Sequence, residues 1–222
     1  MAEAMLDSGR QEIAGRLRVS MPVLFGRHCV APVLTDLARR HPKLELDLDF
    51  SDRLVDLIED GFDLAVRNGV LGEGAGLMAR RLAYQCMTVC AAPAYLKAHG
   101  TPRTPEELRD YAAIAYGRSG RVREWSFPRD NAPSLALTPQ ARLRFDDLEA
   151  IADAAASGMG LAWLPCWLIR DRTLSGELVR VLDNWPGARF DIFAVWTQTP
   201  HLPLRVRLAV DTLAQALPRL MG

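Results

Sequence analysis

Hydrophobic and polar positions alternate in short stretches of the chain, and these stretches predict β-strands. The clearest is Leu44–Phe50, where every second residue is apolar and the residues between them are Glu45, Asp47 and Asp49. Strict two-residue alternation is typical of a strand with one buried face and one wet face. Shorter apolar stretches next to turn-forming residues predict strands at 17–19, 64–66, 82–91, 113–116, 125–127, 135–137, 143–145, 161–164 and 191–197.

Apolar residues at helical spacing lie between these strands and follow residues that favour helix starts. Asp52 is predicted to cap a short helix over 54–58, and Thr104 begins a capping-box sequence. Asp146, with Glu149 three residues later, is predicted to cap another helix. Further helices are predicted at 1–15, 30–38, 93–99 and 203–217.

Strands and helices alternate through both halves of the sequence, which favours largely parallel sheets with helices on their faces. The irregular stretch 117–139 interrupts this alternation near the middle of the chain. Within it, the arginine-rich segment 118–123 is predicted to be a solvated loop. The sequence therefore predicts an α/β protein of two lobes.

The charge balance limits the partners that this chain can bind. Its 222 residues include 27 Lys and Arg against 27 Asp and Glu, so the formal net charge is zero. Proteins that grip nucleic acid by its phosphates usually carry a basic excess, so the chain alone is not expected to bind DNA. Charges interrupt every apolar stretch before the ~20 residues that a membrane span needs, and no signal peptide follows Met1. We therefore expect no membrane contact and a cytoplasmic location.

The sequence carries no motif for catalysis or for a tightly bound cofactor. The nucleophile-elbow pattern GxSxG and the phosphate-binding pattern GxxxxGK[ST] are both absent. The histidines do not have metal-ligand spacing. We therefore expect no enzyme activity, no cofactor and no metal site, and we expect structural or solvated roles for His28, His41, His99 and His201.

The four cysteines are too few for a disulfide framework in a chain of this length. Cys86 and Cys90 lie four residues apart in a predicted strand and therefore share one face. The favoured interpretation is that the cysteines are reduced, with small apolar side chains that pack in the core. The alternative is a redox-sensing thiol, for which Cys29 is the best candidate because it follows a predicted pocket loop.

Several turns follow the carboxyl ends of predicted strands, where α/β proteins bind small ligands. The turns after the first two strands offer hydroxyl groups and helix-terminal N–H groups, a combination suited to a carboxylate. The third turn adds a guanidinium with bidentate geometry. The candidate ligand contacts are Ser20, Met21, Pro22, Ser51, Arg67 and Asn68 in the first lobe and Tyr116 and Asp146 in the second.

Each candidate also has a structural explanation. Ser20 and Ser51 can be helix caps, because serine after a strand often has that role. Arg67 can pair with Asp52 or Asp63. The binding hypothesis depends on several such turns converging, rather than on any single residue.

Four longer segments of the sequence are informative together: GRLRVSMP at 15–22, DLIEDGFDLAVR at 56–67, CAAPAYL at 90–96 and AASGMGLAWLP at 155–165. As a set they resemble the effector-binding domains of LysR-type transcriptional regulators. The resemblance extends roughly from residue 15 to residue 217 and is specific as an ensemble. It implies a periplasmic-binding-protein-like fold of type 2, in which two crossovers join two Rossmann-like lobes.

The resemblance also implies lobe boundaries. Lobe I comprises 16–91 plus 192–222, lobe II comprises 92–191, and 1–15 is a remnant of a linker. The winged helix-turn-helix that reads DNA in such regulators is not in this sequence, so DNA would be bound only through a domain absent from this chain. Family members pair antiparallel, so the helices at 30–40 and 148–157 are expected at a homodimer contact, with higher oligomers in the full-length protein.

The implied function is the binding of a small-molecule effector in the cleft between the lobes, which modulates DNA binding and transcription. The effector is unknown, and the Ser20 and Arg67 turns favour a carboxylate-bearing one. The family commonly has asparagine where this sequence has Asp146 or Asp147, which leaves a polar or cationic effector open. The alternative function is a stand-alone solute-binding receptor of a transport system.

Overall fold

The computed structural model describes residues 13–53, 55–69, 76–118, 120–129, 131–185 and 187–221. These residues form two compact units. Unit 1 comprises the described residues up to Ala83 together with Asp191–Leu220, and unit 2 comprises Tyr84–Phe190 and Met221. The chain thus passes between the units at 83/84 and at 190/191, each time inside a long strand, and its last described residue, Met221, groups with unit 2 again. In the lobe boundaries that the family resemblance implies, the chain crosses from one lobe to the other at 91/92 and at 191/192.

Twelve strands and six α-helices lie in the described residues, and they confirm the predicted α/β fold. A π-helical turn, Gly26–Val30, separates α1 from α2, and a 3-10 helix, Pro105–Asp110, follows α3. The predicted helix at 1–15 lies outside the described residues except at its end, where β1 begins. In chain order the elements are β1 (Gly15–Met21), α1 (Val23–Phe25), α2 (Ala31–Arg40), β2 (Leu44–Phe50), β3 (Leu64–Asn68), β4 (Leu77–Ala91), α3 (Pro93–His99), β5 (Ala113–Arg118), β6 (Arg121–Val122), β7 (Trp125–Arg129), β8 (Ala132–Leu137), β9 (Ala141–Phe145), α4 (Leu148–Ala156), β10 (Leu161–Pro165), α5 (Cys166–Leu174), β11 (Val179–Val181), β12 (Arg189–Thr197) and α6 (Leu204–Met221).

The sheet of unit 1 is built around β1, which pairs in parallel with β2 on one side and with β3 on the other. The helical segment 23–40 connects β1 to β2, as a parallel connection requires. β12, which returns the chain to this unit, runs antiparallel to β3. The amphipathic pattern predicted for the last helix is confirmed, because Val206, Val210, Leu213 and Leu217 of α6 are all buried.

In unit 2, β5 lies between β10 and β9 and is parallel to both. β4 enters this unit antiparallel to β10 and also to β11. The remaining strands form hairpins, β6 against β5 and β7 against β8. The expectation of largely parallel sheets therefore holds in unit 1, where β1 is parallel to both of its neighbours, and is wrong in unit 2, where most of the described strand pairs are antiparallel. Much of the antiparallel pairing comes from β4 and β12, the strands by which the chain enters each unit.

The predicted helix over 54–58 is absent from the described part of this segment, which forms turns between β2 and β3. The Asp56 carboxylate accepts hydrogen bonds from the N–H groups of Ile58 and Glu59, at 2.9 and 3.0 Å. Such local side-chain bonds favour a turn over a helix. Asp52, predicted to cap this helix, instead accepts a hydrogen bond from the N–H of Val23 at 3.1 Å.

The capping residue of α4 also differs from the prediction. Asp147, not Asp146, is the N-cap, and its Oδ1 accepts a hydrogen bond from the N–H of Ala150 at 2.8 Å. The reason is the extent of β9, which continues to Phe145 and leaves Asp146 in the bend before the helix. The arginine-rich segment 118–123 is likewise not a loop throughout, because Arg121 pairs with Arg118 in a hairpin.

Candidate functional site

The carboxyl ends of β1, β2 and β3 lie at the same edge of the unit 1 sheet. The register places Ser20 of β1 beside Asp49 of β2 on one side and beside Ala65 of β3 on the other. Because the strands are parallel, the residues that follow each of them lie at this edge. Arg67 is two residues beyond Ala65 on the same strand, so it lies on the same face of β3.

A chain of hydrogen bonds joins these three strands through their side chains. The Arg67 guanidinium donates from Nη2 to Ser20 Oγ at 2.9 Å, and the Ser20 hydroxyl donates to Asp49 Oδ2 at 3.2 Å. Arg67 Nη1 also donates to the carbonyl of Val66 at 2.7 Å. Ser20 is fully buried, whereas Arg67 is half-buried. The buried Ser20 hydroxyl therefore fixes the position of the Arg67 guanidinium.

The environment of Arg67 is unusual for an arginine, since a guanidinium normally lies in water. Burial lowers the pKa of Arg67, and the nearby carboxylates of Asp49 and Asp52 oppose this shift. An arginine keeps its proton in any accessible pH range, so the site holds a permanent and partly desolvated cation. A partly desolvated cation interacts more strongly with an anion than a fully hydrated one does.

The loop after β2 supports the loop after β1. The N–H of Ser51 donates to the carbonyl of Met21 at 2.8 Å, and the Ser51 hydroxyl accepts from the N–H of Arg53 at 3.2 Å. The sequence predicts that the N–H groups at the start of the helix after β1 are open to a ligand. In the structure, the N–H of Val23, the first residue of α1, instead donates to the Asp52 carboxylate. The N-cap of α1 is Pro22, whose own side chain makes no capping bond. An aspartate from another loop therefore caps this helix.

Met21 lies in the core rather than in an open turn. Its side chain is fully buried, and a Cβ added to Gly26 would come within 2.3 Å of Met21 Cγ. Only glycine leaves room for this contact, which explains the residue at the start of the π-helical turn. Of Met21, the backbone carbonyl is the part that reaches the candidate site, where it is bonded to Ser51.

Asn68 is the last residue of β3 rather than part of a turn. It is exposed and lies opposite Ile192 of β12. The next residue, Gly69, has a φ of +89° and donates its N–H to the carbonyl of Asp191 at 2.8 Å. The third strand therefore extends two residues further than predicted, because its pairing with β12 continues through Arg67 and Asn68.

The two candidates of unit 2 lie on neighbouring strands. Tyr116 of β5 is opposite Phe145 of β9, and Asp146 follows Phe145 directly. The carbonyl of Tyr116 accepts a hydrogen bond from the N–H of Arg123 at 2.8 Å. Tyr116 is half-buried and Asp146 is exposed. The structure thus brings this pair to the ends of two parallel strands.

The sequence did not single out Asp49, which the structure shows bonded to Ser20. The alternation of β2 puts Asp49 on the polar face of the strand together with Asp47, and this pattern predicts that both side chains are solvated. Knowing the register of β2 against β1 would have identified it, but a sequence pattern does not give register between distant strands. The alternative partner Asp63 is bonded elsewhere, to the N–H of Arg18 at 2.9 Å and to Arg205 Nη2 at 3.4 Å.

The cysteines and histidines do not form a metal site in the described part of the chain, where no group of three or more potential ligands comes together. Cys29, the candidate redox thiol, is buried in the π-helical turn. No helix among the described residues is both long and apolar enough to cross a bilayer.

Arg67 and Ser20 thus lie at the carboxyl ends of parallel strands, the position where open α/β sheets bind small ligands. The family model described as the LysR substrate binding domain matches residues 10–218. The chain therefore belongs to the LysR substrate-binding domain family, as its resemblance implied.

The relatives of this chain are transcriptional regulators. It is 31% identical to the probable HTH-type transcriptional regulator LtrA of Klebsiella pneumoniae, over 98% of this chain and 72% of the regulator. It is also 31% identical to the HTH-type transcriptional regulator DmlR of Escherichia coli, over 95% of this chain and 68% of DmlR. These matches support a regulatory role and give no support to the transport-receptor alternative.

Solved structures show the same fold. The regulatory domain of CrgA, a LysR-type transcriptional regulator from Neisseria meningitidis, matches with a TM-score of 0.79 and 27% identity, over 92% of this chain and all of that domain. Full-length AphB, a virulence activator of Vibrio cholerae, matches in fold with a TM-score of 0.80 and 24% identity, over 93% of this chain and 70% of AphB.

Proposed function

We propose that this domain senses a small effector that bears a carboxylate, and that Arg67 binds the carboxylate at the carboxyl ends of β1 and β3. The observation that carries the proposal is the half-buried guanidinium held by the buried Ser20 hydroxyl. Such an arrangement fixes the orientation of the cation before any ligand arrives. Pre-organisation of this kind raises affinity, because less side-chain freedom is lost on binding.

The charges around Arg67 refine the class of effector. Asp49 is bonded to Ser20 and Asp52 to the first N–H of α1, so both carboxylates contribute negative charge near the guanidinium. An effector that carries a hydroxyl or amino group next to its carboxylate can donate to one of these oxygens while it accepts from Arg67. We therefore favour small hydroxy or amino acids over ligands with several negative charges. A polar or cationic effector stays the alternative.

The experiment is titration calorimetry with a panel of small carboxylic acids, their hydroxy and amino derivatives and the matching primary amides. For an acid that binds, Arg67→Ala is expected to weaken binding about 30-fold or more, since a charge-assisted bidentate contact is lost. Arg67→Lys retains the charge but lacks the planar pair of N–H donors, so its affinity should lie between those of wild type and Arg67→Ala. Ser20→Ala is expected to weaken binding about tenfold, because Arg67 loses its support.

The control is Arg39→Ala, which removes an exposed arginine paired with Asp36 on α2 and should leave affinity unchanged. Thermal unfolding of each variant separates lost binding from lost folding. The same assay with Tyr116→Phe, Asp146→Asn and Ser51→Ala tests the other predicted contacts. The proposal is wrong if an acid binds with equal affinity to wild type and Arg67→Ala, or if no acid on the panel binds.

We further propose that the effector controls DNA binding through a winged helix-turn-helix domain outside this sequence, in a cytoplasmic protein. The domain is expected to pair as a homodimer through α2 and α4, with higher oligomers in the full-length regulator. Sedimentation equilibrium tests the pairing. A charge introduced on the exposed side of α2, as in Thr35→Glu, should weaken self-association at least tenfold. Unchanged association would exclude this helix from the contact.

A further inference from the structure

Two cysteines of unit 2 face each other where β10 ends and α5 begins. Pro165 of β10 is paired with Met87 of β4 in an antiparallel register. Cys166 follows Pro165 as the first residue of α5, and Cys86 precedes Met87 in β4, so the two cysteines adjoin the last pair of this ladder. Paired residues on antiparallel strands have Cα atoms about 4.5–5.5 Å apart, and a disulfide spans about 4.4–6.8 Å, so residues next to such a pair can come within reach of each other.

The side chains agree with this register. The two thiols are close enough that Cys86 contributes to raising the pKa of Cys166. The adjacent residues are also in contact across the same junction, where Trp167 Nε1 donates to Gln85 Oε1 at 2.9 Å. Two neighbouring side-chain pairs therefore join β4 to the first turn of α5, and they fix the two sulfur atoms near each other.

The exposure of the cysteines distinguishes this pair from the other two thiols. Cys86 and Cys166 are both partly exposed, whereas Cys90 and Cys29 are buried. Burial raises the pKa of Cys90 to about 12, so that thiol stays protonated and inert. Burial and the neighbouring Cys86 raise the pKa of Cys166, and Arg180 opposes the shift.

We propose that Cys86 and Cys166 form a reversible dithiol–disulfide site, which hydrogen peroxide oxidises. With hydrogen peroxide, one thiolate attacks a peroxide oxygen, the O–O bond breaks, and a sulfenic acid and water form. The second thiol attacks the sulfenic sulfur, the S–O bond breaks, and a second water leaves. Two thiols and one hydrogen peroxide thus give one disulfide and two waters.

The site differs from the predicted redox candidate, Cys29, and it does not use the Arg67 site. Because burial holds the proton on Cys166 at neutral pH, we expect oxidation to take minutes to hours rather than seconds. The disulfide would fasten β4 to the start of α5 within unit 2. Reduction by a dithiol would release it.

The experiment is peptide mapping of the purified chain after treatment with hydrogen peroxide, with free thiols alkylated before digestion. Trypsin places Cys86 and Cys90 in one peptide, 82–97, and Cys166 in another, 145–170. The expected product is these two peptides joined by a disulfide, with fragment ions that locate the bond at Cys86. Treatment with dithiothreitol should return both peptides to the reduced form.

Variants and a second measurement complete the test. Cys86→Ser and Cys166→Ser should each abolish the linked peptide, while Cys29→Ala and Cys90→Ala should leave it unchanged. Oxidised wild-type protein should unfold about 5 °C or more higher than the reduced protein, a difference that either serine variant removes. The proposal is overturned if peroxide gives no linked peptide in the wild type, a link through Cys90, or only a link between two chains on non-reducing gels.

Discussion

The same junction, a strand end followed by a helix, is built differently in the two units. In unit 1 the helix after β1 begins at Val23, and Asp52 from another loop caps it, while Ser20 reaches Arg67 and Asp49 on neighbouring strands. In unit 2 the helix after β9 is capped by Asp147, which bonds to Ala150 three residues away. The polar groups of one junction are bonded across the sheet, and those of the other within one turn.

This difference supports the proposal that the unit 1 junction binds a ligand. A locally capped helix needs nothing else, and Asp147 satisfies its own helix at little cost. In unit 1 a buried hydroxyl and a half-buried guanidinium lose hydration. That loss is offset by the bond from Arg67 to the carbonyl of Val66 and by bonds between residues 29 and 47 positions apart in the sequence. Costly polar groups of this kind at a strand edge are typical of functional sites.

The largest expected effect concerns a glycine of unit 2 that lies between α4 and β10, close to the backbone of Ala112. Gly160 has a φ of +146°, and a Cβ there would lie 2.5 Å from the carbonyl oxygen of Ala112. Gly160→Ala is therefore expected to lower the free energy of unfolding by about 3 kcal/mol, measured by urea denaturation. Gly158, with a φ of +79° and open space around it, is the control, and Gly158→Ala should cost about 1 kcal/mol. Equal losses would contradict the close approach of the backbone to Ala112.

A glycine of unit 1, Gly26, is packed against the side chain of Met21, whose carbonyl is bonded to Ser51 at the candidate site. Gly26→Ala forces the buried Met21 side chain to move, and we expect a loss of about 2 kcal/mol in the free energy of unfolding. Gly26→Ala combined with Met21→Ala should lose less than the sum of the two single changes, because the smaller side chain relieves the clash. Strict additivity in urea denaturation would show that Gly26 and Met21 do not share this space.

The third effect compares two serines. Ser20→Ala removes a buried hydroxyl that bonds to Arg67 and Asp49, and we expect a loss of about 1.5 kcal/mol in the free energy of unfolding. Ser157 bonds to the carbonyl of Asp153 on the surface of unit 2, so Ser157→Ala should change stability by less than about 0.5 kcal/mol. If the two variants were equally stable, the Ser20 network would not be the costly feature that distinguishes unit 1.

A fourth, smaller effect compares the two neighbouring aspartates before α4. Asp147→Ala should cost about 1 kcal/mol and speed hydrogen exchange at the N–H of Ala150, which loses its acceptor. Asp146→Ala should change stability by less than about 0.5 kcal/mol, since Asp146 is exposed in the preceding bend. The reverse order would restore Asp146 as the cap that the sequence favoured.

The sequence predicts the elements that local chemistry determines. The strand Leu44–Phe50 has the bounds given by its alternation, and the helix Pro93–His99 lies between a proline at its start and Gly100, whose φ is +86°. The sequence missed α5, because Pro165 reads as the end of a strand and is also the N-cap of the helix that follows. A proline is compatible with both roles, and only the tertiary structure decides between them.

The sequence predicts the site only in part. The sequence predicts Ser20, Ser51 and Arg67 as ligand contacts because each lies at or after the end of a predicted strand, and the carboxyl ends of parallel strands lie at the same edge of a sheet. The bonds that organise the site were not predictable, since Asp49 and Asp52 reach their partners through the register of β1 against β2. The Cys86–Cys166 pair, 80 residues apart, depends on register in the same way. Local patterns thus identify the residues, and long-range pairing decides what they do.

The smallest expected effect concerns pH and the polar face of the same β1–β2 pair. A hydrogen bond from Arg16 lowers the pKa of Asp47, burial opposes that shift, and Arg18 reinforces it with a bond of 3.0 Å. A carboxyl whose pKa is lower in the folded state stabilises the fold above its unfolded pKa of about 4, and this contribution is lost as the pH falls through the folded value.

Wild type should therefore lose stability more steeply than Asp47→Asn below pH 4, as followed by urea denaturation at pH 5, 4 and 3. The matched change in unit 2 is Glu106→Gln. The pKa of Glu106 is lowered first by its own backbone N–H and, more weakly, by Arg129. Because exposed ion pairs are screened by salt, 0.5 M NaCl should reduce the Asp47 effect more than the Glu106 effect. Equal salt sensitivity would mean that the arginines of β1 do not set the pKa of Asp47.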